Sequence, residues 1–158
     1  MNLSTLKEKY LLALEKFDAI LTELIHGDKI VTMPPQHPKI VAWANAIAIG
    51  EGAHPSSNNP GNMKFSTLTR SWGATLGRAA LDGGHFCQFA TYAQGFNALC
   101  DYLILGCEDE LIAYHAPTAR TFEGFTKIYA GNPPQGYIDN IAKAIGCTMT
   151  TPISTFLS

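Results

Sequence analysis

The spacing of apolar residues predicts helices on both sides of a polar middle region. Apolar side chains recur every three or four positions from Leu3 to Leu24, which is typical of an amphipathic helix over residues 4–26. Residues 28–36 contain two adjacent prolines and are interpreted as a connector. A second helix over residues 38–50 begins with a proline and is apolar on most sides, so we expect it in the core.

The second half of the chain carries three further sets of helix signals. Thr91 can cap a helix that runs to Gly106, and Thr121 can cap another that ends at Gly131. A last amphipathic stretch over residues 135–145 is followed by a glycine, a common helix stop. The tail beyond it has no clear period.

The region over residues 52–84 is rich in Gly, Asn, Ser and Thr. It predicts loops with a small irregular sheet, built from short pieces at residues 63–65 and 69–72 and a strand at 85–90. The expected fold class is therefore α+β and mostly α. The expected organisation is an N-terminal helix with connector (1–36), a main domain (37–147) and a tail (148–158).

Composition narrows the function classes. The chain has 158 residues with 46% hydrophobic and 15% charged side chains, which fits one compact domain with a single core. A net charge of -2 gives no basic field, so no nucleic-acid partner is expected. No apolar run is long enough for a membrane span, and the N-terminus lacks a signal-peptide layout. We therefore expect synthesis in the cytoplasm, with export only by another route.

The cysteines and histidines give no sign of a metal or cofactor. The four cysteines form no CxxC pair and the five histidines show no ligand spacing, so we expect neither a metal site nor a cofactor. Free buried thiols are the simplest interpretation of the cysteines, although a disulfide set stays open if the protein leaves the cell. His54, close to Glu51 in sequence, is interpreted as a loop residue.

Glu51 is the strongest candidate for catalysis. It closes the apolar helix and faces the Gly/Pro/Asn-rich loop, and no other acid occurs between it and Asp82. A carboxylate is not stabilised at the electronegative C-terminal end of a helix, so its placement there favours a chemical role over a structural one. A carboxyl group beside apolar side chains is suited to exchanging a proton near neutral pH.

Two other motifs could supply ligand contacts. The sequence NNPGNM at residues 58–63 predicts a tight turn, but its amide side chains could also bind sugar hydroxyls and acetamido groups. The segment YAGNPPQGY at residues 129–137 is either a corner between helices or a source of phenol groups for the same site.

Together these motifs resemble the lysozyme-like superfamily, in particular its lytic transglycosylase and goose-type lysozyme branch, in a phage or prophage form. Glu51 stands where that family has its catalytic glutamate, and GNMK at residues 61–64 stands where it has a Gly-Leu-Met-Gln strand. Tyr129 and Tyr137 match the tyrosines of a later Tyr-Asn-x-Gly segment and the helix after it. The chain departs from the family pattern in having glycine after Glu51 and Ala130 after the first tyrosine.

The resemblance implies a lysozyme-like fold and a glycosidase that cuts peptidoglycan strands between N-acetylmuramic acid and N-acetylglucosamine. Glu51 would be the catalytic residue. The substrate-binding residues would be Asn62, Met63, Phe89, Tyr129 and Tyr137.

The expected protein is a monomeric lytic transglycosylase or muramidase for phage lysis or cell-wall penetration. Because no second acid lies between Glu51 and Asp82, one carboxyl group would suffice for catalysis, as in the transglycosylases. The alternative is a glycan-binding or structural virion module that has the same fold without catalysis.

Overall fold

The computed structural model describes residues 37–52 and 55–158, all within the unit Met33–Ser158. The predicted helix over residues 4–26 and the loop residue His54 lie outside the described residues. In chain order the described α-helices are α1 Pro38–Glu51, α2 Thr67–Ser71, α3 Tyr92–Cys107, α4 Phe122–Tyr129 and α5 Gln135–Ile145. Short 3-10 helices occupy Pro55–Ser57, Ile112–Tyr114, Pro117–Arg120 and Ile153–Leu157.

The helix boundaries follow from local side-chain chemistry. Pro38 lies in the first turn of α1, where its missing N–H has no helical partner to lose. The hydroxyls of Thr91 and Thr121 each accept a hydrogen bond from the backbone N–H three residues later, at the starts of α3 and α4. Gly146 ends α5 with a φ of 69°, which a glycine adopts without strain. These predicted caps and stops are confirmed.

The sheet has two strands, β1 Thr75–Ala79 and β2 His85–Gln88, paired antiparallel. Lys64, which lies outside both strands, forms an isolated antiparallel bridge to Phe86 of β2. The prediction of a strand piece at residues 69–72 is wrong, because those residues lie mainly in α2. The hydroxyls of Ser66 and Thr69 form a reciprocal capping box there, and this local pairing outweighs the strand preference of the threonines. The mostly α class with a small sheet is confirmed.

The core is built around the ring of Trp43 in α1, which is fully buried. Phe125 of α4 meets that ring edge-on at a centroid distance of 5.0 Å, and Phe156 of the C-terminal 3-10 helix lies at 4.8 Å. Ile153 of the same short helix is also buried. The tail, for which the sequence pattern predicts no regular structure, therefore completes the core that holds α1 in place.

Two buried thiols of α3 give the fold a measurable pH dependence. Burial raises the pKa of Cys100 and of Cys107 from 9.0 to about 12. Well below pH 9 both thiols keep their protons in the folded and the unfolded chain, so there they do not make the free energy of unfolding depend on pH. Above it the unfolded chain loses these protons first, so the free energy of unfolding falls as pH rises towards 12.

We expect this fall to be shallower in the double variant Cys100→Ala/Cys107→Ala. Urea unfolding of both proteins under reducing conditions, between about pH 7.5 and 10.5, measures it. The variant starts from a lower stability at neutral pH because it lacks two packed side chains. The buried tyrosines titrate in both proteins, so the difference in slope isolates the thiols, and parallel curves would contradict the assignment.

Candidate functional site

Glu51 is the last residue of α1, and its side chain is partly exposed. The helix ends there because Gly52 takes the left-handed conformation, with a φ of 51°. The packed face of α1, with Trp43 and Ile47 buried, fixes the axis of the helix and so the position of its last residue. The carboxyl group is thus presented at the edge of the core, from a rigid element.

Tyr137 of α5 donates a hydrogen bond from its hydroxyl to Oε1 of Glu51 at 2.6 Å. Burial, together with this hydrogen bond and the nearby negative charge, raises the pKa of Tyr137, so the phenol keeps its proton. A phenol can also rotate and accept a hydrogen bond. Tyr137 can therefore pair with Glu51 in either protonation state of the carboxyl group.

Asn62 holds the other side of the same carboxyl group. Its Nδ2 donates to Oε2 of Glu51 at 3.1 Å and to the backbone carbonyl of Glu51 at 3.3 Å. One amide therefore orients the carboxylate and also binds one of the carbonyls that the end of a helix leaves unpaired. Asn62 itself has a φ of 49°, a conformation that asparagine tolerates better than most residues.

The loop that carries Asn62 is held closed by Asn59, which is almost fully buried at 1% exposure. The Asn59 Nδ2 donates to the carbonyls of Met63 at 2.9 Å and Cys87 at 3.3 Å. Its Oδ1 accepts from the backbone N–H of Met63 at 3.0 Å. This one side chain ties the turn to itself and to β2, so it limits where Asn62 can lie.

Tyr129 of α4 supports the loop from the other side. Its hydroxyl donates to the backbone carbonyl of Gly61 at 2.6 Å. Burial is the main cause that raises the pKa of Tyr129, and the negative charge of Glu51 adds to it. The hydrogen bond of the Tyr129 hydroxyl therefore goes to the loop beside Asn62 and not to the carboxylate of Glu51.

Two glycines leave room for these tyrosines. A Cβ on Gly50 would lie 2.9 Å from Cε2 of Tyr137, and one on Gly61 would overlap the hydroxyl of Tyr129. Gly50 is not identified from the sequence, whereas Asn59 belongs to the NNPGNM motif whose amides are expected to bind a ligand, and the structure buries its side chain instead. A glycine inside an otherwise apolar helix, one position before the candidate acid, is the signal that could have identified Gly50.

Met63 and Phe89 are placed differently from the other predicted binding residues. Met63 is 5% exposed and Phe89 is 1% exposed, and both belong to the hydrophobic core. In this structure neither side chain offers a surface that a ligand could contact. The family pattern that suggested them carries no information on which way the side chains point. Of the predicted site residues, Asn62 and Tyr137 therefore contact Glu51 directly, and Tyr129 contacts the carbonyl of Gly61 next to Asn62.

The carboxylate of Asp82 is bound by Lys64 and by the backbone of Gly84. Both of its carboxylate oxygens lie 3.0 Å from Nζ of Lys64, and Oδ1 also accepts from the backbone N–H of Gly84. The hydrogen bond from Lys64 is the main cause that lowers the pKa of Asp82. These contacts are those of an ionised turn residue.

Other classes of site find no support in the part of the chain that the structure describes. It contains no group of three or more His, Cys, Asp or Glu side chains arranged to hold a metal ion. Across residues 37–52 and 55–158, none of the helices has both the length and the apolar character needed to cross a membrane.

Comparison with known proteins gave no relative: no family model, curated protein or solved structure matched the chain. The function is therefore inferred from the site geometry and from the sequence motifs.

We expect Tyr129→Phe to lower the free energy of unfolding by about 1–3 kcal/mol, because the buried carbonyl of Gly61 loses its donor. Tyr92→Phe is the matched control, since Tyr92 is 55% exposed and the loss of its hydroxyl should change stability little. Urea unfolding of the three proteins measures both effects. Equal stability of the two variants would show that the Tyr129 bond does not hold the loop.

Proposed function

We propose that the protein is a peptidoglycan-cleaving glycosidase, a lytic transglycosylase or muramidase with a lysozyme-like fold, and that Glu51 is its catalytic acid and base. One observation carries the proposal. Three residues that the sequence motifs single out for this activity meet at one carboxyl group, with Tyr137 on one oxygen and Asn62 on the other. Glu51 and Tyr137 are 86 positions apart, so only the fold brings them together.

The arrangement suits a group that must donate and then accept a proton. In the first step the protonated carboxyl of Glu51 gives its proton to the glycosidic oxygen, and the bond from that oxygen to the muramic C1 breaks. Tyr137 can accept or donate and so accommodates both states, while Asn62 keeps the plane of the carboxyl group fixed. Positioning of this kind is a large part of what an active site contributes.

The second step needs a nucleophile at C1. We infer that the 6-hydroxyl of the same muramic residue attacks C1 while Glu51 takes up its proton, which restores the acid and leaves a 1,6-anhydro end. Two-carboxylate glycosidases hold their acids about 5–9.5 Å apart across the bond. No Asp or Glu occurs in residues 52–81, and Asp82 is paired with Lys64. These facts support a mechanism with one carboxyl group.

We expect Glu51→Gln to reduce lysis to below about a hundredth of the wild-type rate, since positioned acid–base catalysis contributes about 10²–10⁴-fold. Glutamine keeps the shape of the side chain, so the thermal midpoint should change little. The measurement is the fall in turbidity of outer-membrane-permeabilised bacteria.

Asn45→Gln is the control for the lysis assay, because Asn45 lies on the exposed side of α1 and is not part of the site. If Glu51→Gln keeps more than about a tenth of the activity, Glu51 is not the acid. If the wild type binds cell walls without releasing any fragments, the protein is a glycan-binding module on this fold.

Mass spectrometry of the released fragments tests the second step. We expect mainly 1,6-anhydro muramic ends, which are lighter than the hydrolysed product by one water molecule. Mainly reducing ends, combined with loss of activity in Asp82→Asn, would show instead that water is the nucleophile and that Asp82 is a second catalytic carboxylate.

A further inference from the structure

The outer surface of the β region carries two cations against one aromatic ring. Nζ of Lys64 lies 4.3 Å from the ring centroid of Phe86, and Cζ of Arg78 lies 4.2 Å from it. Lys64 is the bridge partner of Phe86, and Arg78 belongs to β1. We call these three residues the cationic face. Contact with the ring holds both long side chains in place and so reduces the entropy lost on binding an anion.

The cationic face looks away from the core. Side chains alternate across a strand, and Met63 and Cys87, the neighbours of Lys64 and Phe86, are buried. Lys64 and Arg78 are both exposed. Arg78 lies in β1, whose residues are exposed or half-buried throughout, so its guanidinium is accessible to a ligand.

The charge of the region is opposite to that of the whole chain. Residues 52–100 contain Lys64, Arg70 and Arg78 but only one acid, Asp82, so the segment has a net charge of three minus one, or +2. The whole chain has a net charge of -2. A local positive field of this kind attracts an anionic partner.

Within the cationic face, Arg78 is the cation without an ion pair among the described residues. Lys64 already binds both oxygens of Asp82. Arg78 forms no ion pair with any residue that the structure describes, although its guanidinium is the group best suited to bind a carboxylate with two hydrogen bonds.

The cationic face is close to the Glu51 site along the chain. Lys64 follows Asn62 by two positions, and two residues span at most about 7 Å. An anion bound there would belong to the part of the ligand next to the scissile bond. In peptidoglycan, the lactyl group of the muramic residue carries a peptide stem through an amide bond, and the free carboxylates lie on the residues of that stem.

We propose that the cationic face binds a carboxylate of the peptide stem, with Arg78 as the direct ligand, so that the enzyme favours glycan strands that keep their peptides. This rests on the proposed function. Phosphates of other wall polymers share the negative charge, and the phosphate arm of the test distinguishes them from the stem. The stem is favoured because it is carried by muramic residues along the whole strand.

The test compares two substrates. One is intact peptidoglycan, and the other is the same material after an amidase has removed the stems and the lactyl carboxylates that this exposes have been converted to amides. We expect Arg78→Gln to lower kcat/KM about tenfold on intact strands, mainly through KM, since a hydrogen bond to a charged group is lost. On stem-free strands the variant should match the wild type. Arg70→Gln is the control, because it removes the same charge from the same segment away from Phe86.

Equal losses on both substrates, or an equal loss in Arg70→Gln, would overturn the proposal in favour of a general charge effect. Inhibition by inorganic phosphate that Arg78→Gln abolishes on stem-free strands would point to a phosphate site and would also overturn it. If the wild type cleaves neither substrate, the proposed function fails. Calorimetric measurement of the binding of a soluble disaccharide-peptide then tests the cationic face separately. Tighter binding by the wild type than by Arg78→Gln then supports the cationic face, and equal or absent binding rejects it.

Discussion

The hydrogen bond between the hydroxyl of Tyr137 and the carboxylate of Glu51 is the interaction on which the candidate site depends. It joins the last residue of α1 to the first turn of α5, and its length of 2.6 Å is typical of a bond to a charged acceptor. The backbone of each partner belongs to a helix with a packed face. The orientation of one polar group is therefore determined by the core, through the burial of residues such as Trp43 and Ile138.

The second donor, Asn62, is held by a different kind of structure. It lies on a loop, and loops are ordinarily the more mobile parts of a protein. Here the buried amide of Asn59 and the hydroxyl of Tyr129 bind the loop backbone from two sides. The carboxyl group of Glu51 is thus positioned by a helix on one oxygen and by an internally braced turn on the other.

Much of the fold could be predicted because its signals are local. Threonine caps, the proline that begins α1 and the glycine after α5 act within one helical turn, so a single sequence displays them. Glu51 was recognisable for a similar reason, as an acid at the end of an apolar helix. The tyrosines could be proposed from the family motif, although their individual partners could not.

What the sequence did not reveal depends on contacts between distant residues. The tail is ordered because Phe156 meets Trp43, more than a hundred positions away in the chain. Asn59 looks like an ordinary turn residue until Cys87 is placed beside it. Phe89 resembles a strand residue that could face a ligand, and only the packing of the hairpin on the helices turns it inward.

Gly50 sets a limit on how the protein could be engineered for heat resistance. Replacing a glycine inside a helix by alanine is a standard stabilising change, which gains up to about 1 kcal/mol from helix propensity. At this position the added methyl group would occupy the space of the Tyr137 ring. The gain in helix propensity would come with a shift of the Tyr137 ring, so melting temperature alone would not report whether the Glu51 site is intact.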